Sequence, residues 1–228
     1  MKKSAPILFL LATLMLCAPL SARADETPAA QNANDAPAAP NPEWQADITK
    51  IENYLQSLKT AQARFVQTAN DGTQMVGTFY LSRPGKLRFE YDPPVKDFVV
   101  ADGRFIYFYD SELGEQTNTT IGSSLADFIL RDNIKLSGDI AVTELKRAGG
   151  YLQVTLTQSD DPDAGKLLLA FAENKDGSLT LKKWRVIDAQ GLITEVELFY
   201  LKSGMELDDN LFYYLDPKRS DAAPHYNE

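Results

Sequence analysis

One cysteine, Cys17, and one histidine, His225, are all that the 228-residue chain holds of those two residue types. Their scarcity excludes disulfides, cysteine-ligated zinc, Cys/His nucleophilic pairs and histidine metal clusters. Basic residues are also short in supply, 23 against 32 acidic ones, for a formal charge of −9. A surface of that sign repels phosphate backbones and anionic lipid head groups, so nucleic acid is not an expected partner. Composition likewise excludes collagen, coiled coil and low-complexity chains. What the chain does have is core material: 44% hydrophobic and 10% aromatic residues can bury one sizeable core or two small ones.

Lys2 and Lys3 precede an apolar run over 7–16, and Ala22-Arg23-Ala24 supplies small residues at the positions a signal peptidase reads. The run is too short to span a roughly 30 Å hydrocarbon core, which needs about 20 apolar residues. Residues 1–24 read as a signal peptide, and the address as the periplasm. Leu16 stands where a lipidation motif ahead of Cys17 would want a small residue, so no lipid anchor and no stable membrane insertion are expected. Cleavage after Ala24 takes away Lys2, Lys3 and Arg23 and no acid, moving the charge from −9 to −12. Residues 25–41 are rich in alanine and proline and hold no branched aliphatic or aromatic residue. They read as a flexible leader, because they cannot bury enough to order themselves.

Asn41-Pro42 is a cap followed by a first-turn proline, and Trp44, Ile48, Ile51, Leu55 and Leu58 recur at helical spacing. From Arg64 the period changes to two. Met75, Gly77, Phe79 and Leu81, then Leu87, Phe89 and Tyr91, then Phe105, Tyr107 and Tyr109 alternate with more polar neighbours, as half-buried strands do. Turn signals punctuate them at Asp71-Gly72, Pro84-Gly85 and Asp102-Gly103. The same grammar resumes at Gly149-Gly150, Asp176-Gly177 and Gln190-Gly191, bounding strands over 151–157, 166–172, 179–187 and 192–202. The reading gives about eleven strands. Between the two strand blocks, over 117–138, Ser124 with Asp127 three residues on resembles a capping box, and Leu125, Phe128 and Ile129 form one apolar edge of a short helix.

No strand alternates with a full crossover helix, so the sheet is expected to be antiparallel and meandering. A single antiparallel sheet of this size must curl to cover its apolar face. The fold class is therefore mainly β with a helical lid: a half-open antiparallel β-barrel covered by an N-terminal helix and a short central helical segment. The domain is expected over 42–217, with 218–228 a polar tail. Nothing in the chain suggests a heptad run or a strongly apolar terminal helix, which favours a monomer.

Phe65 and Gln67, then Gly77, Phe79, Leu81, Arg83-Pro84-Gly85, Leu87-Arg88-Phe89 and Tyr91, then Asp102-Gly103 with Tyr107 and Tyr109, resemble in order and spacing the periplasmic outer-membrane lipoprotein carrier family. Glu115-Gln116-Thr117 and the closing residues 212–217 are also similar to that family. The resemblance implies a carrier that takes acylated lipoproteins from an inner-membrane ATP-driven extractor and ferries them to the outer membrane, where a dedicated acceptor is present in some systems. It implies no catalysis and no cofactor. The lid-holding arginine of the family falls on Arg83, and Phe89 stands where the family more often has tryptophan.

Arg83 shares a strand face with Phe79 and Leu81, which places a cation on an apolar side unless acceptors reach it. The alternative is a strand-end arginine splayed into solvent beside a turn. Phe79, Leu81, Leu87, Phe89, Tyr91, Phe98, Val100, Leu125, Phe128 and Ile129 are candidate linings of a hydrophobic cavity, although alternation alone does not separate lining from packed core. Phe105 to Tyr109 is apolar on both faces, as expected of a strand whose outer face the opening helix covers. Glu195 and Glu197 share a strand face and are the one carboxylate pair to weigh against a glycosidase, but acids on a solvent face explain them as well. The function expected is a periplasmic lipoprotein chaperone; the alternative is a periplasmic lipid-binding sensor or regulator on the same fold.

Overall fold

The computed structural model describes residues 41–122 and 125–220. The readings of 1–24 as signal peptide and of almost all of 25–41 as leader, the end of the polar tail, and the Ser124 half of the capping box lie outside those residues. The described chain opens as its sequence dictates. Asn41 Oδ1 accepts from the Glu43 amide at 3.1 Å, one 3-10 turn (Pro42–Trp44) follows, and helix α1 runs over Gln45–Ser57. Ile48, Ile51 and Leu55, spaced at three and four, are its buried stripe.

Eleven strands follow: β1 (Thr60–Thr68), β2 (Gln74–Ser82), β3 (Lys86–Tyr91), β4 (Phe98–Asp102), β5 (Phe105–Asp110), β6 (Glu115–Thr120), β7 (Ile140–Ala148), β8 (Tyr151–Gln158), β9 (Gly165–Glu173), β10 (Leu179–Asp188) and β11 (Ile193–Ser203). They form one antiparallel sheet in the order β6-β5-β4-β3-β2-β1-β11-β10-β9-β8-β7. Pairing of β1 with β11 joins the two sequence blocks, and β6 and β7 remain as edges, so the sheet is not closed. A 3-10 segment, Leu125–Leu130, lies between those edge strands in sequence.

The sheet is strongly curled. Four strand spacings of about 4.8 Å separate β3 from β10 along a flat sheet, yet the rings of Phe89 and Trp184 lie 6.1 Å apart, and those of Phe79 and Trp184 5.6 Å. The concave face therefore meets itself across an aromatic cluster that also holds Phe65 against Phe89 and Tyr91. Gly77 makes the cluster possible: a Cβ there would stand 2.2 Å from the Glu90 carbonyl oxygen and 2.7 Å from the Phe65 ring, so only glycine lets that ring lie flat on β2.

Period two holds along β1, β2 and β3, whose odd-numbered residues all face the core. It breaks at three bulges. One residue is added on β10 between Leu181 and Lys183, one on β11 opposite Gln62 and Arg64, and one on β7 between Val142 and Glu144. Each bulge moves the following residues to the other face. Trp184 thereby joins Leu179 and Leu181 in the core, and Leu201 joins Leu198.

The structure corrects two expectations. Phe98 and Val100 do not line the concave face: their partners across β3 are Glu90 and Arg88, whereas Val99 and Ala101 pair with Phe89 and Leu87 and enter the core. Phe105, Tyr107 and Tyr109 are likewise convex, and their cover is the C-terminal segment, not α1. The Tyr214 ring lies 4.8 Å from Tyr107 and 5.8 Å from Phe98, Arg88 sits over the Phe98 ring, and Phe212 is buried. With apolar residues on both faces of β4, periodicity could not choose between them. Strand β6 also enters the stretch read as strand-free; its residues are nearly all exposed, so it carries no alternation to find.

Candidate functional site: the covered concave face

The concave face is floored by Phe79, Leu81, Leu87, Phe89 and Tyr91 together with Phe65, Val99, Ile106, Leu169 and Trp184, all buried. Two chain segments cover it. Helix α1 inserts Ile48, Ile51 and Leu55, and the stretch over 125–136 inserts Phe128, Leu130, Ile134 and Leu136; Leu125 and Ile129 are half-buried against the same core. One polar pair interrupts the floor: the Tyr91 hydroxyl donates to Gln67 Oε1 at 2.8 Å, and burial pushes the phenol pKa up.

Arg83 continues the parity of β2 one residue past its end and enters the concave side only 7% exposed. Its Nε donates to the Leu58 carbonyl at 2.8 Å, and its Nη2 donates to the Leu55 carbonyl and, at 3.2 Å, to that of Gln56. These are last-turn carbonyls, which a helix leaves short of partners and which carry the negative end of its dipole. Nη1 donates to the Arg131 carbonyl at 3.3 Å. One guanidinium thus bonds both covering segments from three separate nitrogens, a spread that the single nitrogen of a lysine ammonium lacks. Burial lowers the Arg83 pKa and the Asp132 charge opposes that shift. The adjoining turn adds a further tie, the Gly85 amide donating to the Leu130 carbonyl at 2.9 Å.

The two covering segments also hold each other. Gln56 Nε2 donates to the Asp132 carbonyl and its Oε1 accepts from the Ile134 amide, both at 3.0 Å, while Glu52 Oε1 accepts from the Leu136 amide at 2.8 Å. Side-chain bonds near both ends of α1 tie it to the sheet. The Tyr54 hydroxyl accepts from the Leu181 amide at 2.9 Å, and the phenol pKa is raised by burial against that bond. Near the start of α1, Arg147 of β7 makes a bidentate pair with Asp47 at 2.9 Å and bonds Glu173, which also accepts from Lys50 at 3.0 Å. The Arg147 and Lys50 cations hold the Glu173 carboxyl down at about 2.

Glu195 and Glu197 belong to a surface ion ladder. Glu195 bonds Lys183 at 3.2 Å and Arg185 at 2.6 Å, and Glu197 lies 3.9 Å from Lys183. Burial acts to raise the Glu195 carboxyl, and the bonds from Arg185 and Lys183 outweigh it and hold it low. Among the described residues no helix is long and apolar enough to cross a membrane.

Of the residues singled out from sequence, the structure brings Arg83, Phe79, Leu81, Leu87, Phe89, Tyr91, Leu125, Phe128 and Ile129 together and sends Phe98 and Val100 to the other face. Sequence reasoning missed Trp184, hidden by its bulge, and Ile134 and Leu136, which lie in an irregular stretch without periodicity. Gln56 and Glu52 gave no signal beyond being polar on a helix.

The family model described as outer membrane lipoprotein carrier protein LolA matches residues 56–214. The outer-membrane lipoprotein carrier protein of Azotobacter vinelandii is 30% identical over 191 residues, covering 78% of this chain and 89% of its own. That of Methylococcus capsulatus is 25% identical over 189 residues, with 78% and 89% covered. A solved structure, Mycobacterium tuberculosis lipoprotein LppX, aligns over 74% of this chain and 100% of its own at 12% identity and a TM-score of 0.38, too low to bear any argument. With a matched span running from the end of α1 through the whole sheet to Tyr214, the chain belongs to the outer-membrane lipoprotein carrier protein family.

Proposed function

We propose that this protein is a periplasmic lipoprotein chaperone whose concave face takes up acyl chains when α1 and the 125–136 segment lift away, with Arg83 holding both segments down until then. The observation that carries the proposal is the placement of Arg83: a buried cation at the rim of an apolar face, bonded to main-chain oxygens of both movable segments. An inner-membrane ATP-driven extractor would supply the cargo, and an outer-membrane acceptor or the membrane itself would receive it. The signal-peptide reading of 1–24 supports the compartment.

The energetics favour exchange over filling of a permanent void. Each buried CH₂ is worth about 0.8 kcal/mol, so three long acyl chains would gross some tens of kcal/mol, beyond the roughly 18–21 kcal/mol ceiling of noncovalent binding. A carrier that bound so tightly could not release. Here the acyl chains displace Ile48, Ile51, Leu55, Phe128, Leu130, Ile134 and Leu136 from the same surface. At about 1.5–3 kcal/mol each, re-exposing those seven side chains costs on the order of 10–20 kcal/mol at most. Adding the Arg83 bonds brings the opposing terms to the same scale, as reversible loading requires.

The charge of −12 after removal of 1–24 keeps such a shuttle off anionic leaflets. The test is reconstitution: purified mature protein should accept a diacylated or triacylated lipoprotein released from donor vesicles that hold the extractor and ATP, keep it in solution, and deliver it to acceptor vesicles. Failure to accept acylated cargo from any donor membrane would overturn the proposal.

A further inference from the structure

Strands β10 and β11 pair only from Lys183 and Glu197 to Ile187 and Ile193. Beyond that level β11 continues to Ser203 against β1 alone, and β10 back to Leu179 against β9 alone. Both strands carry their bulges just past the last pair, and a bulge bends and twists the strand that bears it. The sheet is split at this end. On the β10 side of the split, the Leu181 amide is taken by the Tyr54 hydroxyl of α1 at 2.9 Å. Among the described residues, the β11 side is a strand edge with no strand beside it.

That edge presents two aromatic rings. Phe199 is 39% and Tyr200 83% exposed, and Tyr200 has φ 55°, the one non-glycine residue with positive φ among the described residues. A bulky side chain in the left-handed region is held there against its preference, and at that exposure its ring adds nothing to the core. The edge also leads to the cover. Past Tyr200, β11 runs to the junction of α1 and β1, where the Gly204 amide donates to the Thr60 carbonyl at 3.1 Å and the Thr60 hydroxyl to the Met205 carbonyl at 2.8 Å. Two residues from Thr60 lies Leu58, whose carbonyl accepts from Arg83. The split therefore opens beside the pinned end of α1.

We infer that the free edge of β11 over 198–203, with Phe199 and Tyr200, receives the first extended residues of the client polypeptide as an added strand, so that the client leaves the carrier through the β10/β11 split. The inference rests on the carrier reading of the concave face. A lipoprotein is acylated at its N-terminal residue, so chains held on the concave face oblige the polypeptide that follows to find a way out beside the cover. Strand addition suits that exit, because main-chain hydrogen bonds supply the affinity and are indifferent to sequence, and a carrier serves clients of many sequences. The two rings supply apolar contact to whichever side chains alternate along the added strand. The exposed edge β6, Glu115–Thr120, has no aromatic ring to offer.

Tyr200→Gly is the test, since glycine relaxes the left-handed backbone while removing the ring. Two probes are compared on the mature protein: a diacylated lipopeptide bearing about ten residues of extended chain, and the same lipid on a single amino acid. Dissociation of the long probe should quicken about tenfold, the worth of one aromatic contact, with the short probe unchanged. A photo-cross-linking residue at position 200 should attach to the long probe near its lipid end, and one at Thr117 of β6 should not. Equal rates for wild type and variant on the long probe, cross-linking at 117 and not 200, or cross-linking at 200 only to a second carrier or to the extractor would overturn the inference while leaving the carrier reading intact. Failure of both probes to bind would overturn the carrier reading and this inference with it.

Discussion

Replacing Arg83 by leucine removes one cation and, with it, four hydrogen bonds to the carbonyls of Leu55, Gln56, Leu58 and Arg131. A bond from a charged donor contributes about 1.5–3 kcal/mol net, and bonds sharing one guanidinium do not add independently. Counting two of the four as independent gives about 3 kcal/mol, lost from the covered arrangement alone because the freed carbonyls reach water once α1 lifts. That is roughly a hundredfold shift toward the uncovered arrangement. The variant should therefore load acylated cargo with up to about a hundredfold higher apparent affinity and hand it on correspondingly slowly. Stopped-flow release of a fluorescent lipopeptide into acceptor vesicles, measured beside loading from donor vesicles, separates the two steps. Arg83→Lys should fall between, keeping the charge and losing the fork. Release from Arg83→Leu as fast as from wild type, with loading unchanged, would refute the reasoning that Arg83 sets the cost of opening.

Two further outcomes follow from the packing and the charges. Because the Glu173 carboxyl is held down to about 2 by Arg147 and Lys50, its pairing stabilises the covered arrangement above the ordinary carboxylate range and is lost as pH falls through it. Protection of the α1 amides, corrected for the intrinsic pH dependence of exchange, should then stay constant from about pH 8 to pH 5 and fall below about pH 4, and Arg147→Gln should show the lowered protection already at neutral pH. A wild-type response centred near neutrality would contradict this. Gly77→Ala places a methyl group 2.2 Å from the Glu90 carbonyl oxygen and 2.7 Å from the Phe65 ring. It should cost about 2–3 kcal/mol and lower Tm by roughly 5–10 °C; calorimetry showing an unchanged Tm would mean that the Phe65 ring does not lie on β2 as described.

The strands of the first block were legible because β1, β2 and β3 keep strict alternation from end to end and turn at Asp71-Gly72 and Pro84-Gly85. That same regularity put Arg83 in phase with Phe79 and Leu81, but parity alone left an arginine splayed into solvent beside the turn as an alternative, and the family resemblance decided for the contact with the cover. The second block was legible as strands but not as faces. A single added residue on β7, β10 and β11 reverses the parity of whatever follows, and a bulge leaves no local mark in residue type. Trp184 was lost for that reason. Phe98 and Val100 were misassigned for a different one: the C-terminal segment lays Phe212 and Tyr214 on the convex side of β3 to β5, a tertiary contact more than a hundred residues away in sequence that makes both faces of β4 apolar. The polar grip of Gln56 and Glu52 on the amides of Ile134 and Leu136 depends on an irregular backbone, for which side-chain pattern holds no information.

The central claim is that acyl chains come to lie on the concave face in place of the chain's own cover. The protein has two tryptophans, Trp44 and Trp184, and Trp184 sits on that face against Phe79 and Phe89. With Trp44 replaced by phenylalanine, a lipopeptide brominated along its acyl chains should quench Trp184 fluorescence on binding, since bromine quenches at contact. Saturable binding of the brominated lipopeptide that leaves Trp184 emission untouched would place the acyl chains elsewhere and contradict the account.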